Sequence, residues 1–83
     1  MVPAELDTPF GHAYGYLEPG AEMESHAHPA REIDLVYSGS GFLTVGEETE
    51  AVGPGDVAAI PPDAPHTMRA GDEPLLWAAL WWD

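Results

Sequence analysis

Gly20-Ala21-Glu22-Met23-Glu24-Ser25-His26-Ala27-His28-Pro29-Ala30-Arg31-Glu32-Ile33-Asp34-Leu35-Val36-Tyr37-Ser38-Gly39 is the stretch on which the fold turns. Side chains two apart on an extended strand share a face, so His26 and His28 can aim both imidazoles into one interior. Pro29 then turns the chain. Glu32 opens the next apolar run, and the same period of two puts Asp34 and Val36 on its face. A bulge would instead turn Asp34 to water, and the residues leave both readings open. His66, far downstream, can close a site of three neutral imidazoles and one carboxylate with positions left for water or substrate. Such a mixed nitrogen and oxygen set suits divalent Fe, Mn, Ni, Cu, Co or Zn and not calcium.

Outward from this stretch, nine glycines and nine prolines punctuate short apolar runs. Regular runs of this kind, separated by turn residues, are the pattern of an all-β sandwich or barrel. The reading predicts strands over Phe10 to Leu17, Met23 to Ala27, Glu32 to Tyr37, Gly41 to Val45, Glu48 to Val52, Val57 to Ile60, His66 to Arg69 and Leu75 to Trp82, with no long helix. Glu18-Pro19-Gly20, Ser38-Gly39-Ser40-Gly41 and Gly53-Pro54-Gly55-Asp56 supply turns through a preset proline φ or a glycine free to take positive φ. The strand count suits a small double-sheet barrel or jelly roll. The expected division is an arm or edge strand at 1–9 and one barrel domain at 10–83.

The spacing Gly20-x5-His26-x-His28-x3-Glu32-x6-Gly39 resembles the first motif of the cupins at every position. The second cupin motif is matched at Gly55, Pro61 and His66, with Asp63 in place of a glycine and Ala70 in place of an asparagine. Neither departure falls on a metal ligand. The resemblance implies a compact cupin β-barrel, a double-stranded β-helix often paired as a dimer, with His26, His28, Glu32 and His66 holding the metal inside one open end. It also implies a small-molecule ligand or substrate. Cupins of this layout include dioxygenases, isomerases, lyases of small organic acids and sulfonium compounds, and sugar-acid processing proteins. The expected function is a metal-dependent enzyme of oxygenase, lyase or isomerase type. The alternative is a non-catalytic sugar or small-molecule sensor.

Within 83 residues there is room for one core, and a domain of this size buries only about 60% of its unfolded surface. With no cysteine to form disulfides, a bound metal or a subunit interface is the expected source of added stability. A net charge of −13, with Arg31 and Arg69 as the only fixed cations, argues against nucleic acid and anionic membranes, whose phosphates need basic partners. No stretch reads as a targeting or membrane segment, so a soluble, cytoplasmic protein is expected.

Two further groups bear on chemistry. Asp34, if it faces inward, is a buried carboxyl able to act as a general base, and Tyr37 is a second catalytic candidate on the same strand. Thr44, Met68 and the tryptophans are candidate pocket walls. Arg31 reads as a solvated strand residue or a clamp for a substrate carboxylate, and His12 as a histidine outside the ligand set. The run Leu75-Leu76-Trp77-Ala78-Ala79-Leu80-Trp81-Trp82 is apolar on both parities, so one of its faces needs a second cover. A homodimer is expected to supply it; an N-terminal arm, or Trp81 and Trp82 capping the barrel mouth, would serve the same end.

Overall fold

A computed structural model describes residues 10–82, so the expected arm at 1–9 lies outside the described residues. Seven strands follow one another: β1 (Phe10–Leu17), β2 (Arg31–Ser38), β3 (Gly41–Val45), β4 (Glu48–Val52), β5 (Val57–Ile60), β6 (His66–Ala70) and β7 (Leu75–Trp82). They form two antiparallel sheets, one in the order β1-β7-β2-β5 and the other in the order β4-β3-β6. Strands adjacent in sequence mostly cross between the sheets, which is the winding of a jelly roll. No helix among the described residues is long and apolar enough to cross a membrane.

The alternation of each strand decides what fills the interior. Val36 of β2, Leu43 of β3, Met68 and Ala70 of β6, and Leu75 and Trp77 of β7 form one buried cluster between the sheets. The register carries Glu32 and Asp34 inward with Val36, opposite Ile60 and Ala58 of β5. A register shift does occur in β2, but between Val36 and Ser38, beyond Asp34. The inward reading of Asp34 therefore holds over the bulge reading.

Two glycine placements set the packing. On β1, Gly11 and Gly15 face Trp81 and Trp77 of β7 in register, and a Cβ at Gly15 would come 2.1 Å from the Trp77 indole. Both indoles thus lie directly on the β1 backbone, where a side chain would have no room. Between β2 and β3, Gly39 has φ of 79°. A Cβ there would also strike the carbonyl oxygen of Pro74 at 1.9 Å, so only glycine fits this turn.

The expected strand over Met23 to Ala27 is replaced by two isolated bridges to β6, Glu22 with Arg69 and His26 with His66. Met23 N donates to Met68 O at 3.0 Å, and His26 and His66 exchange backbone bonds at 3.1 and 2.9 Å. Between these pairings Glu24 and Ser25 stand opposite Thr67 alone. That extra residue interrupts the ladder as a bulge does, and the Thr67 hydroxyl instead donates to Met23 O.

The outer faces of the two sheets differ. On the first, Tyr14 and Tyr16 of β1, Leu35 and Tyr37 of β2, and Val57 of β5 are exposed, Tyr14 by 77%. Leu76, Ala78 and Leu80 of β7 lie between them in register. The second sheet turns Thr44, Thr49, Thr67 and Arg69 outward, with the Arg69 guanidinium 4.8 Å from the centre of the Phe42 ring.

Candidate metal centre

The segment at 21–26, the turn before β2, and β6 bring three histidines together. The rings of His26 and His66 are 4.3 Å apart, those of His28 and His66 5.2 Å, and those of His26 and His28 5.9 Å. Their nearest nitrogen atoms all lie within 4.8 Å of one another, a grouping that could hold a metal ion. His26 is exposed and His28 half-buried, whereas His66 is only 3% exposed.

Local backbone fixes how each ring is presented. Nδ1 of His26 lies 3.2 Å from Glu24 O, Nδ1 of His28 3.0 Å from Ala30 O, and Nδ1 of His66 2.9 Å from Ala64 O. A carbonyl only accepts, so each Nδ1 carries a hydrogen and each ring turns its Nε2 the other way, a bare lone pair whenever the ring is uncharged. Three histidines held by the same contact to a carbonyl two residues away present three identical donors, which is how outer contacts orient metal-binding imidazoles.

Glu32, buried at the start of β2, reaches the same point. Its Oε1 is 2.7 Å from His28 Nε2 and 3.6 Å from His66 Nε2. A carboxylate oxygen and a bare imidazole nitrogen are both acceptors, so at 2.7 Å they repel unless a proton or a cation lies between them. His66 Nε2 is buried and meets no hydrogen-bond donor among the described residues. The donor set of three imidazoles and one carboxylate therefore fits a divalent transition metal.

Asp34 stands two residues along β2 on the same face, 3% exposed. Burial, reinforced by a shared hydrogen bond and charge repulsion with Glu32, pushes its carboxyl up to about 8. Burial also acts to raise Glu32, but hydrogen bonds from Asp34 and His28 and the charges of His66 and His28 outweigh it, so Glu32 ends below its ordinary value. The two carboxyls thus divide roles, Glu32 holding the negative charge and Asp34 the proton.

Tyr37 is not part of this arrangement. Odd positions of β2 face outward, and Tyr37 is exposed there, its ring in edge-on contact with Tyr14 at 6.4 Å. Arg31, at the end of the same outer face, is exposed. A cavity of about 190 Å³ adjoins the centre, with Met23, His26, Glu32, Asp34, Trp77 and Trp81 in its wall. The tryptophans and Asp34 were legible as pocket residues. Met23 was not, because its place depends on the two residues that stand opposite Thr67.

The Cupin domain family matches residues 13–83 of the chain. Among curated proteins, dimethylsulfoniopropionate lyase DddQ of Ruegeria pomeroyi is 36% identical over 67 residues. The match takes in 80% of this chain and 33% of that protein, so the chain spans about a third of the relative's length. Among solved structures, a Cupin 2 conserved barrel domain protein of Salinispora arenicola superposes with a TM-score of 0.83 at 27% identity, over 100% of this chain and 71% of that one. The Ruegeria pomeroyi lyase superposes with a TM-score of 0.84 at 29% identity, over 94% and 40% of the two chains. A variant of oxalate decarboxylase from B. subtilis does so at 0.85 and 27% identity, over 93% and 22%.

Proposed function

The chain belongs to the cupin domain family, and from that premise we propose that it is a metal-dependent lyase of a small organic acid, with His26, His28, His66 and Glu32 as the metal ligands. The observation that carries this reading is the convergence of three like-presented imidazoles and the Glu32 carboxylate. The lyase reaction and the acid substrate are supported by relatives whose names specify a sulfoniopropionate lyase and an oxalate decarboxylase.

A divalent metal held by His26, His28, Glu32 and His66 would supply Lewis-acid chemistry toward a substrate carboxylate. The chain's own residues do the rest. Glu32 gives the ligand set its one negative charge, and the carbonyls of Glu24, Ala30 and Ala64 keep the three imidazoles aimed. Trp77, Trp81 and Met23 wall the adjoining cavity and keep bulk water from the substrate. Asp34 is the group that handles a proton. In the fraction of molecules in which Asp34 has given up its own proton, which grows as pH rises toward about 8, its carboxylate takes the proton from the carbon beside the substrate carboxylate, the electron pair of that bond becomes the new carbon–carbon double bond, and the leaving group departs with the electrons of its own bond. For dimethylsulfoniopropionate the products are acrylate and dimethyl sulfide.

The reading includes pairing of two copies through the outer face of the β1-β7-β2-β5 sheet. That face is apolar, while the chain as a whole carries a charge of −13, so it is where a second copy meets least repulsion.

The test starts with protein purified without a histidine tag. Metal content is measured, and dimethyl sulfide release from dimethylsulfoniopropionate is followed after loading with Zn(II) or Fe(II). Elimination needs no redox chemistry, so turnover is expected with both metals and is expected to vanish in His66→Ala. Turnover confined to iron with oxygen consumed would replace the lyase with an oxygenase. Metal bound at one equivalent without turnover on any small acid would leave a binding module.

A further inference from the structure

His26 is the most exposed of the three histidines, and it faces the other two only because the chain before it carries one extra residue. Glu22 pairs with Arg69 and His26 with His66, so Met23, Glu24 and Ser25 stand against Met68 and Thr67 alone. In a regular ladder, counting on from Glu22 and Arg69 would bring Ser25 opposite His66. Residues directly opposite share a face of the sheet, so Ser25 would then take the inward position and alternation would turn His26 outward. The extra residue is what exchanges a serine for an imidazole at the metal centre.

A bulge of this kind displaces ladder hydrogen bonds. Met23 N still donates to Met68 O, but no backbone N–H among the described residues donates to Met23 O. The Thr67 hydroxyl donates there instead, from the very residue that the bulge faces. Thr67 stands in one cross-strand row with Thr44 and Thr49. The hydroxyls of those two lie 2.8 Å from each other, so Thr67 alone of the row turns its hydroxyl to the 21–26 segment. The contact that orients His26 belongs to the same bulge, since its Nδ1 is held by Glu24 O.

We infer that Thr67 is a positioning residue, whose hydroxyl holds Met23 O so that Glu24 and Ser25 stay bulged and His26, not Ser25, faces His66. It acts on the metal centre only through His26. Its effect on metal affinity rests on the ligand set proposed above, whereas its hold on the bulge is a property of the metal-free chain. Loss of one neutral hydrogen bond at such a carbonyl corresponds to about tenfold in an equilibrium constant. Thr67→Val removes the donor and keeps the β-branched shape, while Thr67→Ser keeps the donor.

The experiment begins with hydrogen exchange, followed by NMR in the metal-free protein, at the His26 amide, which donates to His66 O. The Gly46 amide, which donates to Pro65 O, is the internal reference. Thr67→Val is expected to speed exchange at His26 about tenfold relative to Gly46. Thr67→Ser is expected to restore the native ratio, and Thr44→Val to leave it unchanged. Calorimetric titration of Zn(II) then reads the consequence. Kd is expected to rise about tenfold in Thr67→Val and to stay native in Thr67→Ser. Added to His26→Ala, Thr67→Val is expected to bring no further loss, the mark of a residue that acts through that ligand. An unchanged exchange ratio in Thr67→Val, a Thr67→Ser protein as impaired as Thr67→Val, or additive losses in the double variant would overturn the assignment. A native chain that binds no Zn(II) would instead remove the metal reading, and the exchange ratios would still decide whether Thr67 holds His26 in place.

Discussion

Three histidines reach one point by three separate pieces of chain, yet each is oriented by the same device, an Nδ1–H held by a carbonyl two residues away. That device is local, so it survives in the absence of metal and leaves the Nε2 atoms preset. His66→Ala is expected to abolish tight binding, and with it the thermal stabilisation that saturating metal provides, about 2.7 kcal/mol at a hundredfold excess over Kd. His12→Ala should leave both intact; calorimetric titration of Zn(II) into the two variants decides, and the reverse result would displace His66 from the site. Asp34 gives a pH signature in the metal-free protein. Its folded value of about 8 lies above the ordinary 3.8. Between those values the folded chain therefore holds a proton that the unfolded chain has lost, and stability must fall as pH rises across that window. Glu32, shifted the other way, contributes stability that is lost only as pH drops below its ordinary range. Urea midpoints measured through this window should decline more steeply for the native sequence than for Asp34→Asn; parallel curves would show that Asp34 does not retain its proton. The inward parity of Asp34 was readable from a period of two along β2, whereas His26 and His28 come together without the continuous strand that the same period predicted for them. Tyr37 was legible only as a neighbour of Asp34, and the same period puts it on the opposite face.

Among the strands, β3, β4 and β5 have the bounds that their turn residues predict, because glycine and proline end a strand by local sterics. The segment at 21–26 does not form a continuous strand. Met23 and His26, of opposite parity, both line the metal-side cavity, because whether an extended segment pairs residue for residue depends on its partner, and Thr67 faces two residues where a regular ladder allows one. The fit of β1 to β7 is likewise a matter of partners. Gly15 reads as a weak point in a strand until Trp77 is found lying on it. Gly15→Ala is expected to destabilise by about 1–3 kcal/mol through overpacking. Gly53→Ala, with open space around the new methyl, should fall within about 0.5 kcal/mol of the parent. Urea denaturation of both variants checks this, and equal stability would mean that the indole of Trp77 can leave β1 at no cost.

Across the molecule the two sheets present unlike surfaces, one with exposed Tyr14, Tyr16, Leu35, Tyr37 and Val57 and the other with threonines and Arg69. The acidic surplus must be carried elsewhere, since the middle of the first face bears no charged side chain. Pairing through it predicts a solution mass of twice 8.9 kDa, and Leu35→Glu, which places a carboxylate at the centre of the face, is expected to return the single-chain mass. Light scattering distinguishes the two. A Leu35→Glu protein that keeps the doubled mass would move the interface away from this sheet. The apolar double parity of Leu75 to Trp82 already indicated that one face of β7 needed cover. Which face, and which neighbours share it, followed only from β1 and β2 flanking it.

Most strand bounds, the turns and the all-β class were fixed by short-range physics, because alternation, proline φ and glycine freedom act within a few residues. The convergence of His26, His28 and His66 and the indoles seated on glycine depend on residues far apart in the chain. They were decided only when the sheets closed, because register between strands and the space left between two packed faces are properties of pairs of elements and not of either one alone.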